Sequence, residues 1–576
     1  RIRGGDMHNE KYEIWLNSPY VDDDLKEELK GIEKLDSEIE DRFYKELEFG
    51  TGGMRGKIGA GTNRINLVTV AKATQGIADY LLEKHTNEEI SAAIAYDSRN
   101  MSKEFAQKAA CVFAANNINV YLFDSLRPTP ELSYAVRYFN CKTGIVITAS
   151  HNPPEYNGYK VYDEFGGQVV QGANKIIEKI NKVRLEQIKL SQFERNKKIR
   201  IIGNDVDTPY INEIKKLSLR NDIDKNIKII YTPLHGAGNK PVRRVLSEMG
   251  YDNVFVVKEQ EEPDPEFSTV KSPNPEEISS FEAAIKKAEE LEGEIIIGTD
   301  PDCDRVGLVV KHKGEFIPLN GNQTGALLLN YLLTSLDEQG KIPVNPAIVK
   351  TVVTSEVADC IASKYNVTTF DTLTGFKYIA ELMQKFEETK EYNFLFGYEE
   401  SYGYLAGTFV RDKDAVIASM LICEMGAYYK KLGKTLIDIL NEIYEEHGYY
   451  IEETVSLSFS GVAGQSKMKA IMEYFRENKL SSLAGKSIPT INDYKMCTSS
   501  NLINGTTVKL NYPKSDVLKF SFEDGSWLVL RPSGTEPKLK VYFSIKGENR
   551  DKSDEALKKT KNEILSIIDR IQINIS

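Results

Sequence analysis

Short, almost wholly apolar runs alternate along this chain with amphipathic helical stretches, and each run stops at a polar loop. Residues 92–96 run into Asp97-Ser98-Arg99, residues 120–123 into Asp124, and residues 144–147 into Thr148-Ala149-Ser150. Residues 229–231, 295–297, 349–353 and 394–396 repeat the pattern. Uninterrupted β-branched runs suit strands covered on both faces. Helical patterns at residues 103–115, 173–183, 279–291 and 415–432 lie between them. Strand, loop and helix in alternation predict an α/β chain with substantial parallel sheet. In such sheets ligand loops gather at the carboxyl ends of strands.

At about 150 residues per domain, 576 residues make roughly four domains. Polar stretches at 195–204, 311–322 and 442–453 mark the expected boundaries, giving domains at 1–204, 205–318, 319–443 and 444–576. The first three read as α/β. The last, with a strand-like alternation at 538–545 and a helix at 554–571, reads as α+β. Lys plus Arg number 74 and Asp plus Glu 85, a net charge of −11 that argues against nucleic-acid and membrane-surface partners. A local basic pocket for a small phosphate stays compatible with that charge. No apolar run approaches the roughly 18 residues of a membrane span, and residues 1–7 lack the apolar core of a secretory leader. Cys111, Cys141, Cys303, Cys360, Cys423 and Cys497 are scattered with no CxxC pair, so reduced thiols in a cytoplasmic protein are expected.

Five loops carry the chemistry. In Thr148-Ala149-Ser150-His151-Asn152-Pro153-Pro154, a serine beside a histidine can be a nucleophile, and Lys160 is near enough to share its pocket. No GxSxG elbow accompanies it. In Asp300-Pro301-Asp302-Cys303-Asp304-Arg305, alternate side chains of an extended loop would share a face. Three converging carboxylates repel unless a cation neutralises them, and oxygen-only ligands favour Mg²⁺. Arg305 and Lys311 stand where a calcium-binding EF-hand loop needs Gly and Glu. Glu399 and Ser401, in Gly397-Tyr398-Glu399-Glu400-Ser401-Tyr402-Gly403, suit sugar hydroxyls. Arg531-Pro532-Ser533-Gly534-Thr535-Glu536-Pro537 suits a phosphate. The glycines of residues 50–56 allow close backbone approach beside Arg55. Thr374-Gly375-Phe376-Lys377 and Arg411-Asp412-Lys413-Asp414 are weaker signals, the latter expected to be a salt-bridged surface. His235 is expected to be structural.

Taken together, TASHNP, DPDCDR and RPSGTEP, in this order from residue 49 to 540, resemble the α-D-phosphohexomutase superfamily. FGTGGMRG, YDSR, RPTPELS and GYEESYGY resemble its bacterial α-phosphoglucomutase branch, which in turn resembles the phosphoglucomutases and phosphopentomutases of animals. The resemblance implies four domains around a central cleft. It implies that Ser150 carries a phosphoryl group and that Asp300, Asp302 and Asp304, with a phosphoserine oxygen, hold Mg²⁺. Arg55, His151, Lys160 and Arg305 would surround the reacting phosphate. Glu399 and Ser401 would meet sugar hydroxyls. Arg531, Ser533, Gly534 and Thr535 would grip the other phosphate, with Thr374, Gly375 and Lys413 as further contacts. Many members have Gly where Tyr398 stands, and phosphomannomutase-like members have His where Gly403 stands.

The implied reaction is reversible interconversion of glucose 1-phosphate and glucose 6-phosphate, with glucose 1,6-bisphosphate as intermediate and activator. Mannose and pentose phosphates are alternative substrates. His151 and Lys160 are alternative bases. An aspartyl-phosphate phosphatase with Asp300 as nucleophile is the reading from another class, and a non-catalytic sugar-phosphate-binding protein a third. The expected partners are small sugar phosphates, and the expected state is a monomer or weak homodimer.

Overall fold

The apolar runs of the first region become strands because both their faces are covered. Ser91–Tyr96, Asn119–Phe123 and Thr143–Ile147 are almost entirely buried. They sit at the centre of a six-stranded sheet ordered Gly53–Lys57, Tyr156–Tyr162, Thr143–Ile147, Ser91–Tyr96, Asn119–Phe123, Ile199–Ile202. The four strands from Thr143–Ile147 to Ile199–Ile202 are parallel. Tyr156–Tyr162 and Gly53–Lys57 are antiparallel additions. Helices Leu67–Lys84, Ser102–Ala115 and Ala173–Lys182 contribute Val70, Ile77, Phe105, Phe113 and Ile176 to the core against this sheet.

The computed structural model describes residues 5–50, 52–459, 461–533 and 538–575. The chain divides into two compact units. The first comprises Arg1–Asn320, Phe376–Phe396 and Ser401–Gly433, and the second Gly321–Gly375, Gly397–Glu400 and Lys434–Ser576. The first unit also holds a five-stranded mixed sheet, ordered Glu315–Leu319, Val306–His312, Ile295–Thr299, Ile229–Thr232, Val254–Val256. In the second unit, Pro346–Thr351 and Thr368–Thr372 pair in parallel. Another sheet of this unit has seven strands, with Tyr449–Ser458, Lys538–Gly547 and Trp527–Pro532 adjacent and antiparallel. Helix Arg550–Ile575 packs on that sheet through Leu557, Ile564 and Ile568. The result is three mixed α/β regions and a C-terminal α+β region, as the sequence predicts.

Local differences have plain causes. The polar stretch 195–204 contains the strand Ile199–Ile202, whose polarity reflects an exposed sheet edge. Residues 311–322 are a hairpin, Val306–His312 with Glu315–Leu319, followed by a helix from Gly321. The strand expected at 394–396 runs from Asn393 to Glu399, which places Tyr398 and Glu399 in the sheet rather than in a loop. The six cysteines are free thiols. Among the described residues no helix is long and apolar enough to cross a membrane.

Candidate active site

Ser150 follows the strand Thr143–Ile147 and adopts φ +53°, a left-handed conformation that costs a non-glycine residue about 1–3 kcal/mol. The turn is fixed from several sides. Thr148 Oγ1 accepts from Ser150 N at 2.8 Å. Gly158 lies against the loop: a Cβ there would sit 2.3 Å from the Thr148 carbonyl oxygen. This geometry aims Ser150 Oγ at Asp300, where it donates to Oδ2 at 2.7 Å. Two residues 150 positions apart therefore share one hydrogen bond.

The carboxylates converge through a turn rather than by the alternation of an extended loop. Cys303, at φ +53°, bends the chain between Asp302 and Asp304. Asp300 Oδ1 closes the turn by accepting from Asp304 N at 3.1 Å and Arg305 N at 3.0 Å. All three carboxylates are buried, and one ligand oxygen of each lies within 4.8 Å of the others. Thr129 holds Asp302 twice: its N–H donates to the Asp302 carbonyl at 2.9 Å, and its hydroxyl to Oδ2 at 2.9 Å. Burial, then the charges of Asp302 and Asp304, push Asp300 well above the usual carboxylate range. Burial would also raise Asp302, but the Lys160 ammonium outweighs it and holds that group low. Asp302 Oδ1 and Asp304 Oδ1 are buried without a hydrogen-bond partner. Orphaned carboxylate oxygens in a buried acidic nest are what a bound cation would satisfy, so the residues present fit a metal ion.

Cations ring the nest. Lys160 Nζ lies 2.8 Å from Asp302 Oδ2 and 3.3 Å from Asp304 Oδ2, and Lys413 Nζ lies 2.8 Å from Asp304 Oδ2. Burial opposes the Lys160 charge, but Asp302 and Asp304 prevail and raise it. Lys413 does not lie on the salt-bridged surface that its charge run suggested. Arg411 and Asp414 are buried, Asp412 accepts from the Tyr162 hydroxyl at 2.7 Å, and Asp414 accepts from Val416 N and Ile417 N to cap the next helix. Arg55, on the strand Gly53–Lys57, donates to Asn152 Oδ1 at 2.9 Å. Arg305 pairs with Glu276. His151 Nδ1 lies 3.3 Å from Ser150 Oγ, and burial, with Arg305 and Arg55, holds its imidazole well below the usual histidine value. His235 is structural, with its ring nitrogens 2.8 Å from the Glu262 carbonyl and the Thr269 hydroxyl.

A second group forms in the other unit. Glu399, buried at the end of its strand, accepts from Gly375 N at 3.0 Å, and Gly375 has φ +120°. Thr374 Oγ1 is buried beside it with no hydrogen-bond partner. Tyr398 packs where a Cβ on Gly325 would be, 2.2 Å from its ring. Arg531 donates to the Tyr542 hydroxyl at 3.2 Å, and Ser533 N donates to the Lys538 carbonyl at 2.7 Å. Burial, then Glu400, pushes Tyr542 up to about 12, with Arg531 opposing and Glu399 adding. Gly534 and Thr535 lie outside the described residues. Ser401 belongs to the first unit, half-buried in the turn before the strand Gly403–Ala406.

Sequence reasoning passed over Thr129 and Arg99. Arg99 lies in the polar loop after the strand Ser91–Tyr96, a position that could have flagged it, whereas Thr129 opens the helix Thr129–Tyr138 and carries no such signal.

Comparison with known proteins follows the chain from end to end. Residues 46–187, 208–314 and 320–447 match the alpha/beta/alpha domains I, II and III of phosphoglucomutase/phosphomannomutase, and residues 486–566 its C-terminal domain. An enzyme with this architecture is a phosphohexomutase, a sugar-phosphate isomerase. A protein of Staphylococcus saprophyticus named Phosphoglucomutase is 39% identical over 516 residues, covering 88% of this chain and 92% of its own. One of the same name from Staphylococcus aureus strain MSSA476 is 37% identical over 546 residues, covering 94% and 96%. The chain belongs to the phosphoglucomutase/phosphomannomutase family. Its fold is also that of the open form of the Paramecium phosphoprotein pp63/parafusin, at TM-score 0.65 and 18% identity, over 92% of this chain and 95% of that one.

Proposed function

We propose that this enzyme interconverts α-D-glucose 1-phosphate and glucose 6-phosphate through a phosphoserine at Ser150 and a glucose 1,6-bisphosphate intermediate. The observation that carries the reading is the Ser150 hydroxyl seated 2.7 Å from Asp300 in a buried three-carboxylate nest. In this reading residues 1–204 carry the phosphoserine and 205–318 the metal ligands. Residues 319–443 supply the sugar contacts and 444–576 the phosphate grip.

Asp300, Asp302 and Asp304, with an oxygen of the phosphorylated Ser150, would hold Mg²⁺, as their oxygen-only donor set favours. Such an ion neutralises charge on a transferring phosphoryl group. The chain's own residues do the rest. The P–O bond to Ser150 breaks as a sugar hydroxyl bonds to phosphorus, and Ser150 leaves as an alkoxide that takes up the proton the sugar hydroxyl gives up, relayed by the base. Lys160, Arg55 and Arg305 offset the charge of the group in flight. The sugar hydroxyl's proton goes to a base. Lys160 is held as an ammonium by its two carboxylates, whereas the neutral His151 imidazole offers a lone pair beside Ser150. After the bisphosphate reorients, its other phosphate returns to Ser150. Arg531 and Ser533 would hold whichever phosphate is not reacting, and Glu399 would accept from the sugar hydroxyls.

Both Asp300 oxygens are already engaged by Ser150, Asp304 and Arg305, which disfavours Asp300 as a nucleophile. The deciding experiment measures kcat/KM for glucose, mannose, ribose and deoxyribose 1-phosphates with trace glucose 1,6-bisphosphate and Mg²⁺. Glucose is expected to lead by at least about tenfold. A higher value for another sugar overturns the substrate assignment. Ser150→Ala retaining turnover, or peptide mapping that finds the phosphate on Asp300, overturns the mechanism.

A further inference from the structure

We infer that Arg99 is a positioning residue for the phosphoryl-transfer step, acting as the keystone of the Ser150 loop; the inference rests on Ser150 being the phosphoryl carrier. Arg99 is 3% exposed, and its guanidinium lies at the focus of the loop's main chain. Nη2 donates to the carbonyl of Ser150 at 2.6 Å and to that of Asn152. Nη1 donates to the carbonyls of Pro153 at 2.8 Å and Tyr156 at 3.0 Å. Nε faces Asp97 Oδ2 at 3.4 Å, and Asp97 Oδ1 accepts from Arg99 N and the Ser102 hydroxyl. The guanidinium also sits 4.9 Å from the centre of the Phe267 ring.

A carbonyl turned toward Arg99 is a peptide plane whose orientation is set. Four such planes from Ser150 to Tyr156 fix the loop from the serine onward, while Thr148 Oγ1 holds the Ser150 N–H on the other side. The left-handed turn at Ser150 would otherwise relax toward ordinary backbone, because nothing intrinsic to serine favours it. Arg99 therefore holds the Oγ in line with Asp300, and through Asp300 with the whole nest. The fork matters as well as the charge. A guanidinium spreads five donors in a plane and serves four acceptors in two directions, while an ammonium has three donors at one point.

The test uses Arg99→Lys and Arg99→Met in the full-length protein, with thermal melts to confirm folding. Arg99→Lys keeps the positive charge and serves if Arg99→Met fails to fold. In Arg99→Lys, kcat is expected to fall at least about 30-fold, with KM for glucose 1-phosphate changed less than about threefold, since misplacing a nucleophile removes an interaction of the transition state. Intact-mass analysis after incubation with glucose 1,6-bisphosphate is expected to show Ser150 still phosphorylated, more slowly than in wild type. A folded Arg99→Lys enzyme with wild-type kcat overturns the inference, as does a loss confined to KM. Failure of the phosphoserine reading looks different: Ser150 would carry no phosphate in wild type.

Discussion

Lys413 occupies the space that a side chain on Gly403 would need. A Cβ at Gly403 would sit 2.3 Å from Lys413 Cδ, and the ammonium beyond it lies 2.8 Å from Asp304 Oδ2. The glycine is thus the condition for a lysine to reach the nest past this strand. Gly403→Ala is expected to push the lysine off Asp304 and lower kcat/KM about tenfold, or about 1.4 kcal/mol. Gly403→His should do more harm without conferring turnover of mannose 1-phosphate. Steady-state kinetics with both sugars checks this, and an undiminished Gly403→Ala enzyme contradicts it.

The acidic nest makes metal dependence a direct expectation. Chelation should lower turnover at least about 100-fold, with recovery on adding Mg²⁺. Asp302→Asn should weaken Mg²⁺ binding at least about tenfold in calorimetric titration, because Asp302 Oδ1 has no protein partner. Mg²⁺ should also raise the melting temperature of wild type more than that of the variant, by linkage.

His151 tests the charge environment of the loop. Burial, Arg305 and Arg55 all disfavour the imidazolium, so the group stays neutral where an ordinary histidine near pH about 6.5 would titrate. In the dephosphorylated protein its imidazole NMR signals should not move between about pH 6 and 8. Arg305→Met should move the titration upward toward the ordinary value. A wild-type midpoint near 6.5 would refute this picture.

The second unit contains a fully buried, ion-paired lysine. Lys350, fully buried, meets Asp371 Oδ1 at 2.9 Å, Glu356 Oε2 at 3.0 Å and Asp359 Oδ2 at 3.2 Å, and Lys519 reaches the other Glu356 oxygen at 2.9 Å. Lys350→Met leaves three carboxylates crowded together and is expected to cost about 3–5 kcal/mol in urea unfolding at neutral pH. Lys350 is raised, despite burial, by Asp371 and its neighbours, so its contribution survives to alkaline pH. Burial would raise Glu356, but Lys350 and Lys519 depress it, so its contribution is present above the ordinary carboxylate value and fades as pH falls through the lowered one. Burial pushes Asp359 up to about 7 against the pull of Lys350, so the gap between wild type and variant should be full above about pH 8 and narrow as the pH falls. A gap that widens in acid would be the wrong sign.

Strand ends and loop letters made much of this legible. The apolar run before Ser150 and the spacing of Asp300, Asp302 and Asp304 announced two halves of one site, because burial on both faces leaves few residue types for such strands. What was hidden depends on partners with no signature in the sequence. Arg99 binds main-chain carbonyls, which every residue has. Lys413 reads as part of a solvated charge run because its counter-ion, Asp304, is far away along the chain. Tyr398, on a strand, is accommodated by the absence of a side chain at Gly325, which sits far away along the chain in the helix Gly321–Glu338. The turn at Cys303 was missed because left-handed backbone at a cysteine follows from its surroundings and not from its own preference.

Because Ser150, the aspartate turn and Lys413 come from such distant stretches, the nascent polypeptide exposes its acidic turn long before the last neutralising lysine leaves the ribosome. Until then Asp304 lacks one of its two lysines, while Lys160 already faces both Asp302 and Asp304. The nest is complete only when residues from both sides of the aspartate turn, Lys160 before it and Lys413 after it, have folded onto it.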